Sequence, residues 1–599
     1  MNRLRLALAL VVVAAAVLAP ASSAFAALNN DIDPGIAQAN DRVLTILRTD
    51  GTIYIGGDFT AITDANGTVA RDHIAAIDAA TGLVLPWDPG ADATVRALAV
   101  SPDGSTVYAG GDFVTFGGQA RGHIAAFAAD PSSVALTPWQ PHVNRAVYTI
   151  APLGSRVLIG GSFTSIGGVR RVRLASLSAS TGAVLPWAPN ASSEVRAIVP
   201  SGDGTRIFVA GFFDHINGVA QNHVAALSAS SPSGKPLPWK YHPPFAVVTL
   251  ARNGPTLFGG GHGSGGHLVA WGAKGGMRWA RGLDGNVEGL TIVDGELIAG
   301  GHFTHAGFTI GAPHRRHLAA FNPNTGAIDP DWHPSVNMPL GVFSVAGAGQ
   351  HVYVGGDFTS IGPAAQQGFA QFATTDPADT TAPAVTALPD ARVVTGSTLG
   401  ATSVPVSVTW GAGDVPSGVC RSLLQRSPNG GAFTPMALLL PTSRSATTSL
   451  LPGTSYAFAL DAFDCEYNST GFQTGPAVQV SATQGAPVVY SGSWAVKHPS
   501  TAFGHSLRQS GAAGASATLS FTGRQVAWVA ARAPGDGSAK VYVDGALAAT
   551  INLHAATAQA RKVVFTRRWP MDGAHTIKVV ARGTAGHPLV DVDELLVVS

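Results

Sequence analysis

Few residues in this chain carry groups suited to chemistry, and they are scattered. Five histidines, His73, His123, His223, His267 and His317, recur at matching places in a repeated pattern, and imidazole is a common metal ligand. Zinc needs its ligands at ~2 Å, whereas equivalent residues on neighbouring units of a radial array stand on the order of 10 Å apart when strands are ~4.8 Å apart. The histidines therefore read as recurring turn or cross-strand hydrogen-bonding residues, and neither a metal ligand nor a cofactor site is assigned. Glycoside hydrolysis would require two carboxylates ~5 to 9.5 Å apart. The strands expected innermost offer mainly Glu288, whose counterparts are Leu44, Arg96, Tyr148, Arg196, Val248 and Phe343, with Asp58, Asp112 and Asp357 one strand further out. Glu288 is thus a catalytic candidate only if a loop supplies a second acid. Gly504-His505-Ser506 starts as a nucleophile elbow would, but Arg508 stands where G-x-S-x-G needs Gly. Phosphate-loop and dinucleotide fingerprints find no match, and the acidic run Asp591-Val592-Asp593-Glu594 completes no calcium loop.

Binding chemistry is better represented. Sugar rings present apolar CH faces beside hydroxyls, so their sites combine flat aromatic surface with a few polar groups. Near the C-terminus Tyr490, Trp494 and Trp569 offer such surface, and His498 and His505 lie in a stretch rich in Ser, Pro and Gly. Trp494 falls on an expected strand, where an aromatic serves a core equally well. Trp569 precedes Pro570 and an Asp572-Gly573 turn, a more exposed setting.

These residues are positioned by a repeat. TIYIGGDF at Thr52 to Phe59 returns as VYAGGDF, VLIGGSF, IFVAGFF, LFGGGH, LIAGGHF and VYVGGDF. A valine-led run precedes each copy, from Val43, Val95, Val147, Val195, Val247, Val287 and Val342, and a Trp follows the first six, at Trp87, Trp139, Trp187, Trp239, Trp279 and Trp332. About four short β-runs per unit at a steady period predict a seven-bladed β-propeller. The third residue of each leading run is small, which makes that run the innermost strand. The glycine pairs Gly56-Gly57, Gly110-Gly111 and Gly355-Gly356 predict a bulge or close backbone approach in the second strand. The seventh repeat lacks its fourth run, and Asp31-Ile32-Asp33-Pro34-Gly35, similar to the PWDPG ending the first repeat, is expected to complete it and protect an open sheet edge.

GGDF followed by an HIAAID-like run, a TG turn and a PW pair resembles the delta-60 family of β-propeller repeats of bacterial exported proteins, over about Ala27 to Pro377. The resemblance implies a propeller and an extracellular setting. From Pro383 to Thr483 the chain resembles fibronectin type III: Val404, Val406, Val408 and Trp410 alternate on one face, and Leu450-Leu451-Pro452-Gly453-Thr454-Ser455-Tyr456 matches the approach to that family's corner tyrosine. Trp410 and Tyr456 are core residues in that reading, and Pro405 implies that the strand begins at a sheet edge. The same resemblance brings Cys420 and Cys465, the chain's two cysteines, to adjoining strand ends, so a disulfide is expected there. From about Val488 to Ser599, Val543-Asp544-Gly545 and Met571-Asp572-Gly573-Ala574-His575 resemble turns of galactose-binding-like sandwiches, a jelly-roll group that includes carbohydrate-binding modules.

The expected organisation is a signal peptide at 1–26, a propeller at 27–376, a fibronectin type III-like sandwich at 377–484 and a jelly-roll-like sandwich at 485–599, all β. Arg3 and Arg5, the apolar run Leu6 to Leu18 and Ala24-Phe25-Ala26 carry the signal-peptide reading, and hence secretion. That run is short of the ~20 residues that span a bilayer. Charged residues are 12% and the formal net charge is +1, leaving no basic field to gather nucleic acid. The resulting expectation is a monomeric, non-catalytic exported protein that recognises glycan or another cell-surface partner. The alternatives are a secreted glycoside hydrolase working through Glu288 and a purely structural adhesion or interaction protein.

Overall fold

A computed structural model describes residues 28–263, 266–309, 311–338, 340–374, 379–415 and 418–599. The expected signal peptide lies outside them. The described chain is all β, with no α-helix and no helix long and apolar enough to cross a membrane.

Residues 28–374 form seven small antiparallel sheets built alike. In the first, Val43–Arg48 pairs with Thr52–Gly57, which pairs with Ile74–Asp78. The second strand is buried along its whole length, so it reads as a continuous apolar run rather than an alternation. The valine-led strands touch in chain order, and the seventh, Val342–Ala348, returns to the first, so the sheets close into a circuit. Glycine makes this packing possible. A Cβ on Gly56 would stand 2.6 Å from Val95 of the next sheet, and one on Gly355 would stand 2.7 Å from Val43, the contact that closes the circuit.

The outer edge of most sheets is a single bridge, such as Ile77 with Val84, though the fifth carries a full fourth strand, Met277–Gly282. In the seventh sheet that edge comes from the other end of the chain. Asn29 and Asp33 donate their N–H groups to Ala373 O and Gln371 O at 2.9 and 2.8 Å, Leu28 bridges Thr374, and the Gln371 amide donates to Asp33 at 2.7 Å. The indole N–H of Trp332 donates to Asn29 O at 2.9 Å, just as Trp87, Trp139, Trp187 and Trp279 donate to carbonyls of the sheet that follows theirs. The N-terminal segment thus stands where every other sheet uses its own chain.

Beyond residue 379 the pattern changes. Val404–Gly413 alternates buried and half-buried residues, with Val404, Val406, Val408 and Trp410 inward. Pro405 is paired only on the Ser449 side, because the strand on the other flank first engages at Ser407, so no ladder donor is missed there. The Leu451 N–H donates to the Tyr456 hydroxyl at 3.3 Å, and Cys420 and Cys465 are disulfide-bonded. The sheet does not stop at residue 484. Val478–Thr483 pairs with the C-terminal strand Glu594–Val598, which pairs in turn with Ser516–Arg532. One core also runs across that point, joining Trp410, Leu424 and Phe458 to Val529, Val563 and Leu596.

One feature near the C-terminus differs from expectation: Met571-Asp572-Gly573 is no turn. It lies within Gln559–Ala581, opposite Gly523 to Gln525, where the register shifts. An Asp-Gly pair favours hairpins, but here the extra residues are absorbed as a bulge in a long strand. Asp544-Gly545 does form the expected hairpin turn, with φ of 50° and 81°.

The 379–483 region packs on the turns that follow the valine-led strands. Arg421 reaches Asp50 at 2.5 Å and Asp103 O at 2.8 Å, Gly154 N–H donates to Leu439 O at 2.9 Å, and the Gln350 N–H donates to Glu466 at 2.6 Å. One face of the sheet circuit is therefore partly covered. The valine-led strands begin at the opposite face.

Candidate functional site

Every valine-led strand carries the same irregularity. Val43 pairs with Gly57 and Thr45 with Gly56, leaving Leu44 as an extra residue, and the same shift isolates Arg96, Tyr148, Arg196, Val248, Glu288 and Phe343. The second glycine of the motif accounts for it in six of the seven sheets. A Cβ on Gly57 would stand 1.9 Å from Arg42 O, and one on Gly111, Gly161, Gly211, Gly301 or Gly356 between 1.9 and 2.1 Å from the equivalent carbonyl. Only glycine admits that carbonyl, and its approach makes room for the extra residue. The bulge therefore sits on the first strand rather than the second, with the glycines opposite it. Bulges re-aim side chains, and here all seven extra residues line one cavity of roughly 380 Å³ at the axis of the circuit.

Its wall has two unlike halves. On one, Arg96 and Arg196 flank Tyr148, with guanidinium carbons 5.7 and 4.2 Å from the ring centroid. Arg96 binds Asp112 Oδ2 through Nε and Nη2 at 2.8 and 2.6 Å, and Arg196 binds Glu194 Oε2 at 3.2 and 2.7 Å. Arg196 also lies 5.4 Å from Phe212, whose ring meets His262 edge-on at 5.5 Å. On the other half Val248, Phe343 and Leu44 are apolar and Glu288 stands among them. Glu288 Oε1 accepts the Asn286 amide N–H at 3.2 Å and lies 3.9 Å from His262 Nε2. Among the described residues it is the one carboxylate in the lining.

Sequence reading placed Glu288 and its six counterparts on the inner strand but missed Phe212, His262 and Asn286. A signal was present. The residue after the glycine pair is Asp in three repeats but Phe212 in the fourth and His262 in the fifth, and these two rings line the cavity, whereas Ser162 and His302 at the same place in the third and sixth do not.

The recurring histidines serve the turns. His73, His123, His223 and His317 have φ of 65°, 62°, 65° and 68°. Each donates its N–H to the Phe O of the preceding motif and accepts the N–H of the second glycine, and Arg173 does the same in the third sheet. His267 instead lies within its strand and stacks on Phe245 at 4.3 Å. A separate group of carboxylates, Asp379, Asp414 and Asp464, brings its oxygens within 4.8 Å of one another. Burial raises the Asp464 carboxyl, whose oxygens accept N–H groups from Glu466 and Asn468.

The aromatic candidates near the C-terminus form two groups. Tyr490 and Trp494 meet edge-on at 5.3 Å, with Arg508 over Tyr490 at 4.6 Å and the Tyr490 hydroxyl donating to Gln484 O at 2.8 Å. Trp569 stacks on His575 at 3.7 Å and packs by Phe521 at 6.1 Å. All three are half-buried against the core. His498 and His505 are exposed, and His505 Nδ1 bonds Ser500 O at 3.2 Å. The stacked His575 is itself held by Asp544 at 2.9 Å, so the Trp569 ring already has one face covered.

The same region buries acids. Asp591, Asp593 and Glu594 are 1%, 1% and 4% exposed. Desolvation pushes the Asp593 carboxyl up to about 6, that of Glu594 to about 8, and that of Asp591 well above its ordinary value. Each then binds more protons folded than unfolded, so its contribution to stability is complete below the unfolded value of about 4 and fades as pH rises through the folded one. The thermal transition of the C-terminal region is expected to fall between about pH 4 and pH 8. In Glu594→Gln the upper half of that slope should disappear; calorimetry across this range checks both.

No family model matches the chain. It is similar over a short stretch to two curated proteins of Flavonifractor plautii. One is "A type blood N-acetyl-alpha-D-galactosamine deacetylase", 31% identical over 108 residues, which is 18% of this chain and 13% of that protein. The other is "A type blood alpha-D-galactosamine galactosaminidase", 30% identical over 110 residues, 18% of this chain and 10% of that protein. The likeness spans well under a quarter of either relative. Among solved structures, the computationally designed Ika8 protein aligns with a TM-score of 0.36 at 12% identity, over 57% of this chain and 98% of its own. The structure of U3-55K aligns at 0.39 and 12% identity, over 57% and 100%.

Proposed function

We propose that the chain is an exported, non-catalytic glycan-binding protein whose ligand sits in the axial cavity. In this reading the seven sheets are the blades of a delta-60-type β-propeller, and the C-terminal third is a fibronectin type III-like sandwich joined to a galactose-binding-like one. The circuit of valine-led strands and the edge supplied by residues 28–33 support the propeller. The observation that carries the function is the cavity itself: seven repeats spend the same bulge to aim Tyr148, Phe343, two arginines and an acid into one space. Flat rings beside fixed polar groups suit a sugar's two kinds of surface. The short likeness to two proteins named for galactosamine chemistry supports the same class. The disulfide fits an oxidising compartment.

A glycan array probed with the intact chain tests this. Tyr148→Ala is expected to weaken retention by about tenfold, equivalent to ~1.4 kcal/mol, with little change in Tm because the ring lies at the cavity wall. Trp569→Ala should leave retention intact and lower Tm, since that ring packs on Phe521 and His575. The opposite pattern would move the site to the terminal sandwich.

A further inference from the structure

Resting on the axial site as the place of binding, we infer that its ligand is an amine-bearing sugar, with a free ammonium group held by Glu288. The charges of the wall single this residue out. Arg96 and Arg196 are already paired, with Asp112 and Glu194 at 2.6 and 2.7 Å. Glu288, among the described residues, has no Lys or Arg within 4.0 Å; its partners are the Asn286 amide at 3.2 Å and His262 at 3.9 Å. Its side chain is only 21% exposed, between the bulge positions of Val248 and Phe343. A carboxylate removed from most of its water and partnered only by an amide and an imidazole gains from a cationic ligand, and apolar neighbours strengthen that pairing by excluding solvent.

The carboxylate is also oriented in advance. Asn286 is 5% exposed, and its Oδ1 accepts the Gly263 N–H at 2.9 Å, which turns the amide nitrogen toward Glu288. The neutral amide holds the acid in place without satisfying its charge. Across the cavity, Asp112 and Glu194 engage Nε and Nη2 of the two arginines, and Nη1 of each, with no hydrogen bond among the described residues, is the donor offered to ring hydroxyls. Tyr148 between them supplies the flat face. A sugar with one ammonium and several hydroxyls matches this division. An N-acetylated sugar does not, because it brings no charge to Glu288 and adds bulk there.

Calorimetric titration of the full chain with short oligosaccharides of glucosamine, and with their N-acetylated counterparts of equal length, tests the assignment without any variant. The free amine form should bind at least about tenfold more tightly. Glu288→Gln, which keeps the shape and can still meet Asn286, should abolish the preference while leaving Tm unchanged. Equal or tighter binding of the acetylated form overturns the inference, as does a preference that survives in Glu288→Gln or a failure of the wild type to bind either probe. Array glycans still retained through Tyr148 in any of those cases would keep the axial site and discard only its amine specificity.

Discussion

Deleting Asn29 to Ala37 is expected to lower the thermal transition of the seven-sheet region by ~10 °C or more. The segment supplies two backbone hydrogen bonds to the last strand of the seventh sheet, the acceptor for the Trp332 indole, and the buried side chains Ile36 and Ala37. Each backbone bond is worth ~1 kcal/mol, and an indole donor left buried and unpaired costs ~1 to 3 kcal/mol. Burying an isoleucine contributes ~1.5 to 3 kcal/mol more. The sum, about 4.5 to 8 kcal/mol, corresponds to a shift of that size or more at ~2 °C per kcal/mol for a large domain. The loss also bares the edge of Phe369–Ala373, so aggregation on heating should increase. A calorimetric trace that matches the full chain would show that the seventh sheet is complete without the N-terminus.

The second large effect concerns the bulge. Gly301→Val should leave the chain unfolded or cost more than ~4 kcal/mol. Even the Cβ of the new side chain would stand 1.9 Å from Asn286 O, and backbone cannot move aside as a flexible side chain can. Relief would require opening the Val287–Gly289 bulge, which would carry Glu288 and the Asn286 amide out of place. Gly276→Ala is the control. Its Cβ would meet nothing nearer than a lysine methylene at 3.9 Å, and the change should lie within ~0.5 kcal/mol. Urea denaturation of both variants decides the matter, since similar small costs would mean that the glycine pair is not what shapes the bulge.

The bulge also shows where sequence reading stops. The repeat period located all seven valine-led strands, because short apolar runs between Gly, Asp and Pro turns carry their own boundaries. It also identified the positions of Leu44, Arg96, Tyr148, Arg196, Val248, Glu288 and Phe343 as equivalent. It could not reveal that these residues are unpaired, since register belongs to two strands at once and no periodicity in one of them records it. The glycine pairs announced a close approach correctly, but the extra residue lies on the partner strand. Closure by residues 29–33 was legible because Asp33-Pro34-Gly35 copies a segment found elsewhere in the repeat. The continuous strand Gln559–Ala581 was not, because Asp572-Gly573 has the local chemistry of a turn and only the facing strand makes it a bulge. The sheet that crosses residue 484 was hidden for the same reason: Val480 pairs with Val598, far along the chain. Attention to the aromatics of the terminal sandwich followed from counting flat rings along the sequence, whereas the axial cavity draws its rings from separate repeats.

The most direct test is a crystal structure of the full chain soaked with the glycan it retains best. Ligand density between Tyr148, Arg196 and Glu288, with a ring face toward the tyrosine and a polar substituent at the Glu288 carboxylate, is the predicted result. Density at Trp569 or Trp494 with an empty axial cavity would contradict it.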